Sequence, residues 1–224
     1  MRQFKQAFTL SIPILCSYLF LSIAYGMVSY DTNISLLATL FSSTFIYTGA
    51  FQFVLLSYIK EGTSLLVMAM TALLMNSRQV FYGFTLLDEF KKYGKRKLYM
   101  IHSLTDETFA LDCSIEVEEK DKLSIMFYIA LLSHFYWIIG TFIGYTIGNL
   151  IPFSLEGIDF CMTAMFLTIL VDQWQKKEKK SPAIIGIVCG IVGLLLFGGR
   201  VFILPSLIFA SICLLMTERK QENV

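Results

Sequence analysis

Asn76, Ser77, Arg78 and Gln79 stand in consecutive positions inside the apolar run LLMNSRQVFYG, residues 73–83. An arginine at the centre of a lone membrane helix costs roughly 2.5–3.5 kcal/mol on insertion scales, so Arg78 needs a partner or an escape. Near the interface, its stem snorkels and the guanidinium reaches water. Facing the interior, its planar fork takes a carboxylate in two-point contact. That carboxylate belongs either to a solute or to the chain itself, where Asp106 and Glu107 are the candidates. If the helix breaks at Asn76 and Ser77, freed backbone groups and a half-helix end point inward. Such ends hold the charged groups of small solutes. An amino acid carries both charges and suits the arrangement.

A second polar interruption is FIYTGAFQF, residues 45–53. Gly49 and Ala50 allow close helix approach or a break. Gln52 is an amide that needs partners wherever it is buried. One reading is a packing notch with one interhelical hydrogen bond. The other is a polar solute path lined by Thr48, Gly49 and Gln52. Further on, Gly140, Gly144 and Gly148 fall four residues apart on one helix face, a spacing for tight packing against another span of this chain or of a second subunit. Gly186 and Gly190 repeat it. Tyr136 and Trp137 suit an interfacial aromatic belt. His134 reads as a hydrogen-bonded bundle residue rather than a ligand, and Asp159 and Asp172 as residues near interfaces. The five cysteines have no C-x-x-C spacing and read as small buried hydrophobes. No H-E-x-x-H, G-x-S-x-G or P-loop pattern occurs. No metal, cofactor or catalytic set is therefore expected, and an ion gradient rather than ATP is the expected driving force.

Helices in lipid must position these groups. The chain has 224 residues, 56% of them hydrophobic, with 20 Phe and a mean hydropathy of +0.66. Soluble domains average about 45–50% apolar on a count that includes Gly. Long apolar runs follow one another at 7–29, 34–59, 63–87, 123–151, 155–174 and 182–217. Crossing the hydrocarbon takes about 20 apolar residues in a helix. Backbone groups in lipid must be satisfied within their own segment, so the expectation is an all-α, polytopic integral membrane bundle. It has about seven membrane segments, at least one of them broken or re-entrant. Arg2 and Lys5 precede a first run too long for a cleavable signal core, which is expected to stay in the protein.

The net charge of +1 gives no bulk electrostatic case for nucleic acid. The basic clusters at 91–97, 176–180 and 219–220 mark cytoplasmic loops. They make 123–174 one hairpin and 182–217 another, turning near Gly198 and Gly199, and leave the side of the N-terminus open. Segment 98–122 is too polar for a lipid-facing span. It is an interfacial amphipathic helix or a piece folded back into the bundle. The chain reads as one transmembrane domain, 1–224, with possible halves 1–97 and 123–217 joined by 98–122. LLMNSRQVF (73–81) faintly echoes LLLFGGRVF (194–202), as repeated halves with broken helices would.

YTGAFQF (47–53), NSRQVFYG (76–83), LTDETFAL (104–111), WIIGTFIG (137–144) and DFCMTAMF (159–166), in this order, resemble the AzlC family of bacterial branched-chain amino acid exporters. The resemblance covers roughly residues 5–175, and LTDETFAL is its most specific block. It implies a multi-pass permease subunit of the bacterial cytoplasmic membrane, paired with a small AzlD-like membrane protein. Gly49, Ala50 and Gln52 match the family's Gly-Ala-x-Gln. Asn76 and Arg78 match its Asn-x-Arg, and Thr105 to Thr108 its Thr-Asp-Glu-Thr. Phe51, Gln79 and Thr163 depart from the usual residues there, and a larger Phe51 bears on which substrate fits.

The expected function is secondary export of branched-chain or other hydrophobic amino acids. Thr48, Gly49, Gln52, Asn76, Arg78, Asp106 and Glu107 are the expected substrate or path residues. Arg78 and Asn76 hold the carboxylate side, and Asp106 or Glu107 meets the amino group or carries a coupling proton. Two rivals differ in class. A membrane scaffold or accessory subunit would use the same polar residues to bind protein neighbours. An intramembrane enzyme would need a catalytic constellation that two histidines hardly supply.

Overall fold

A computed structural model describes residues 2–115, 117–150, 180–198 and 202–222, together with 163, 164, 167, 170, 171 and 174. Every element among them is helical. Helix α1 runs over Arg2–Asp31 and α8 over Glu119–Leu150. At 1.5 Å per residue both exceed the roughly 30 Å of hydrocarbon. Among the described residues these two are long and apolar enough to cross a membrane on that measure. The other described helices are shorter than these two.

The apolar run 34–59 is broken into α2 (Leu36–Phe41), a π-helical turn (Ser42–Ile46) and α3 (Gly49–Glu61). Then come α4 (Leu65–Thr85), α5 (Leu87–Lys91), a 3-10 turn (Gly94–Arg96), α6 (Lys97–His102) and α7 (Asp106–Ser114). After α8, the described helices are α9 (Ser181–Phe197) and α10 (Ile203–Glu222). The run 155–174, with Asp159, Cys161 and Asp172, lies mostly outside the described residues.

The chain forms two compact units. One comprises Met1–Leu56 with Ser77–Cys161, the other Ser57–Asn76 with Met162–Val224.

In the first unit, α1 and α8 pack as a close pair. A Cβ on Gly140 would strike the Ser22 side chain, and one on Gly144 the Ile23 backbone. From α1, a Cβ on Gly26 would lie 2.6 Å from Tyr145 N. Hydrocarbon gives helices no hydrophobic reason to associate, so such backbone approach carries the packing. The interior mixes apolar side chains such as Tyr25, Phe53, Ile125 and Met126 with hydroxyls. Ser11, Ser22, Ser29, Thr39, Ser43, Ser133 and Thr141 are fully buried, while Phe20, Phe41, Phe45 and Phe81 stand on the outside. The hydroxyls pair across helices, Ser29 with Thr39 at 2.5 Å and Ser43 with Thr141 at 2.9 Å. So many large apolar side chains on the outside are the distribution that lipid, not water, favours.

Segment 98–122 is folded back into this unit. Helices α5 to α7 pack on the start of α8 around Phe90, Met100, Leu104 and Met126. At the outer edge, Lys92 bonds Glu89 at 3.0 Å and holds that carboxylate below its usual range.

The second unit contains the α9–α10 pair. Gly198, at φ 71°, ends α9 with its N–H on Leu194 O. That left-handed stop suits glycine. Gly199 lies outside the described residues. Gly193 packs against Ser206, whose Oγ donates to Phe202 O at 2.6 Å. Gly186 and Gly190 meet nothing within 4 Å among the described residues. Tyr58 and Thr71 share a hydrogen bond at 3.2 Å.

Three expectations are corrected. The helix does not break at Asn76 and Ser77, because α4 continues through them. Straight-chain and small polar residues continue a helix when their side chains have somewhere to go. Tyr136 and Trp137 are not belt aromatics. Their face of α8 turns inward, leaving them 7% and 3% exposed. Cys16, Cys113 and Cys213 are exposed rather than buried.

Candidate functional site

The interruption of helix 36–61 builds the site. Thr44 Oγ1 donates back to Leu40 O at 2.8 Å, a bond that competes with the helical ladder and bends helices. Through Ser42–Ile46 the ladder widens, Tyr47 N reaching Ser42 O at 3.1 Å. Tyr47 then turns into the left-handed region at φ 42°. A bulky aromatic residue rarely sits there, and surrounding structure must hold it. Tyr47 is held by stacking on His134, ring centroids 4.3 Å apart. Helix α3 restarts at Gly49, and a Cβ there would lie 3.2 Å from the edge of Trp137.

The break displaces the Thr44 carbonyl from the helical ladder, and both histidines of the chain answer it. His102 Nε2 stands 3.2 Å and His134 Nε2 3.1 Å from Thr44 O. A carbonyl only accepts, so each ring carries its proton on Nε2. His134 Nδ1 is then the acceptor for the Tyr99 hydroxyl at 3.2 Å.

Around the restart of α3, buried polar atoms lack protein partners among the described residues. They are Tyr47 Oη, Thr48 Oγ1, Gln52 Oε1, Ser133 Oγ and Trp137 Nε1. Thr48 and Gln52 are one turn apart on α3. Ser133 and Trp137 are one turn apart on α8. The Gly49–Trp137 and Tyr47–His134 contacts set these two helix faces against each other. Gln52 is fully buried and its amide nitrogen is engaged, donating to Ser42 Oγ, which Tyr25 Oη also reaches, both at 3.1 Å. Leaving a buried polar group unpaired costs about 1–3 kcal/mol. Several in one place mark a surface made to be satisfied by something other than the protein.

The site borders the first turn of α7. Thr105 caps it in a reciprocal box with Thr108, each side chain taking the other's backbone N–H. That leaves Asp106 and Glu107 in the first turn, where the helix dipole favours acids. Tyr18 Oη donates to Glu107 Oε2 at 2.8 Å and lies 2.6 Å from Thr105 Oγ1. The Tyr18 ring meets Trp137 edge-on at 5.4 Å. Tyr18 therefore links the acidic turn to the indole of the site. Asp106 points the other way and is gripped by Arg78.

The sequence-derived candidates thus separate. Thr48, Gly49 and Gln52 lie together at the helix break. Glu107 borders them through Tyr18. Arg78 and Asp106 pair with each other. Asn76 is half-buried on α4 and belongs to the second unit. Gly140, Gly144 and Gly148 line the α1 contact. Sequence reasoning missed Tyr18, Tyr25, Tyr47 and Ser133, and it placed Trp137 wrongly. A usable signal existed for two of them: Ser133 and Trp137 share the face of Gly140 and Thr141.

The family model described as "AzlC protein" matches residues 13–151. The "Branched-chain amino acid transport protein AzlC" of Bacillus subtilis (strain 168) is 36% identical over 92% of this chain and 81% of its own length. An "Uncharacterized membrane protein" of Helicobacter pylori (strain ATCC 700392 / 26695) is 35% identical over 99% of this chain and 98% of its own. The "Inner membrane protein YgaZ" of Escherichia coli (strain K12) is 30% identical over 90% of this chain and 83% of its own. No solved structure matches the chain.

Proposed function

Because the chain belongs to the AzlC family of membrane proteins, we propose that it is a secondary transporter exporting branched-chain or similar hydrophobic amino acids across the cytoplasmic membrane. In this reading it is the large subunit of a two-component permease and works with a small AzlD-like membrane protein. The observation that carries the proposal is the set of unpaired polar atoms at the break in helix 36–61, in a chain similar along most of its length to a branched-chain amino acid transport protein.

The chemistry of that set fits a zwitterion. Trp137 Nε1 only donates, and the hydroxyls of Tyr47, Thr48 and Ser133 donate readily. Phe51 N and Gln52 N bond back to Thr48 O, and the helix dipole favours negative charge at this start of α3. A carboxylate is the group these donors suit. Gln52 Oε1 accepts, and Glu107 bears the negative charge that an ammonium group needs. The rings of Tyr25, Phe53 and Trp137 offer an apolar wall for the side chain. Arg78 takes a supporting role, since Asp106 engages its fork, and its grip fixes the turn that presents Glu107.

The test is efflux. Cells are loaded with a leucine-containing dipeptide, with and without this chain and a small partner subunit, and free leucine outside is followed. Faster release that is lost in Trp137→Phe at equal protein level supports the reading. Release unchanged by the chain for leucine, isoleucine, valine and methionine overturns it.

A further inference from the structure

Asp112 is the titratable group that the solute site leaves unused. It lies on α7, six residues beyond Asp106, and outside the long apolar helices. It is 4% exposed, and its Oδ1 has no hydrogen-bond partner among the described residues. Phe109 and Ile115, before and after it, pack on the apolar cluster of Phe90, Met100, Leu104 and Met126. The other carboxylates near the site are compensated: Asp106 by Arg78, and Glu107 by the Tyr18 hydroxyl. An ionised carboxylate in such a place is costly unless it is paired.

Few groups face it. Lys122, at the start of α8, favours the charged form, but its ammonium group is shared with Glu89 Oε1 at 3.4 Å. Tyr93, from the α5 side, has its hydroxyl engaged on Leu123 O at 2.7 Å. Cys113 is the neighbour on α7 itself. Burial dominates and pushes the Asp112 carboxyl up to about 8.

We propose that Asp112 binds and releases the proton exchanged for the transported amino acid, and that α7 carries its charge state to the solute site. This rests on the transport reading above. The link is mechanical. Helix α7 has nine residues, with Asp112 near its end and Asp106 and Glu107 in its first turn. Protonated, Asp112 stays in its dry setting and holds α7 docked. Ionised, it is drawn toward Lys122 and water, and the turn that meets Arg78 and Tyr18 shifts with it. Proton binding converts the carboxylate to the acid, and no other bond changes.

The full chain is reconstituted into liposomes, with any subunit that co-purifies, and the membrane potential is clamped. Leucine exchange at equal pH and leucine accumulation driven by a pH gradient are both measured. For one proton per leucine, a one-unit gradient sustains an about tenfold concentration ratio. In Asp112→Asn, exchange should persist and the ratio fall to about one. Asp112→Glu should restore the ratio with a shifted pH profile. A gradient response retained in Asp112→Asn, or absent in Asp112→Glu, overturns the inference. Absence of exchange in the native chain instead sinks the transport reading, and the coupling role with it. Independently, the infrared carbonyl band of a protonated carboxyl should titrate near 8 in the native chain and be missing in Asp112→Asn. A native chain without that band overturns the assignment on its own.

Discussion

Arg78 holds Asp106 at two points, Nε to Oδ1 and Nη2 to Oδ2, both at 2.9 Å. This fork-on-fork pairing joins α4 to the first turn of α7 and so sets the position of Glu107 beside Tyr18. Both side chains keep partial exposure, which moderates the pair's worth to on the order of 1 kcal/mol. Arg78→Ala and Asp106→Asn should therefore be strongly non-additive in a double-mutant cycle of thermal stability. Each should also slow leucine efflux, because Glu107 loses its placement. Additive effects would mean that the two residues act separately.

Thr105 performs a parallel task from inside α7. Its hydroxyl accepts from Thr108 N at 3.3 Å, and Thr108 Oγ1 accepts from Thr105 N at 2.8 Å. Thr105→Ala removes one arm of that box and the contact to Tyr18, and should cost about 1–2 kcal/mol. Thr105→Ser keeps the oxygen and should be close to neutral. Thermal unfolding in detergent distinguishes them, and equal loss in both would point to packing of the methyl group instead.

The same comparison shows what the chain discloses by itself. The cost of burying Arg78 left two readings, an escape to water or a carboxylate, and Asp106, one of two candidates, takes its fork. The glycine ladder of α8 was readable from its spacing, though not the partner helix. Of the two places that allowed a break, Asn76–Ser77 has none, since α4 continues through it, and Gly49–Ala50 adjoins one. The interruption lies at Ser42–Tyr47, where hydroxyls compete for backbone carbonyls and no proline announces the stop. The inward face of Trp137 was hidden for a related reason. A single indole in an apolar run reads the same at an interface and in a core.

Gly144 tests the α1–α8 contact. A Cβ there would collide with the Ile23 backbone, which cannot rotate away as a side chain can. Gly144→Ala should force the helices apart and cost about 1–3 kcal/mol, the range for overpacking. Gly83→Ala, inside α4 with nothing described within 4 Å, is the control and should be neutral or raise stability by up to about 1 kcal/mol. Thermal midpoints of the two variants decide the matter. Equal midpoints would remove the close approach as a source of stability.

Asp112 makes stability depend on pH with a fixed sign. Its folded value, about 8, lies above the ordinary 3.8, so the folded chain holds the proton more tightly than the unfolded chain. The contribution is full below the ordinary carboxyl range and fades as pH rises from there through about 8. The thermal midpoint of the native chain should fall across that window. In Asp112→Asn the fall should be smaller. An identical slope in both chains would assign the pH dependence to other groups.

The unpaired atoms at the helix break predict an unusual separation of stability from binding. Ser133 is fully buried, and its Oγ has no partner among the described residues. Truncating a satisfied buried hydroxyl destabilises a protein, but truncating an unsatisfied one removes a penalty of about 1–3 kcal/mol. Ser133→Ala should therefore leave the ligand-free thermal midpoint unchanged or raise it. A bound ligand adds stability in proportion to the logarithm of its concentration over Kd, so native protein should gain with added leucine. If Ser133 donates to the leucine carboxylate, Ser133→Ala should weaken leucine by about tenfold, the equivalent of one lost hydrogen bond near 1.4 kcal/mol. Thr146, half-buried on the same helix and bonded back to Phe142 O at 2.8 Å, supplies the control: Thr146→Ala should leave the leucine response intact. A leucine-induced shift that survives Ser133→Ala undiminished would remove this face of α8 from the solute path.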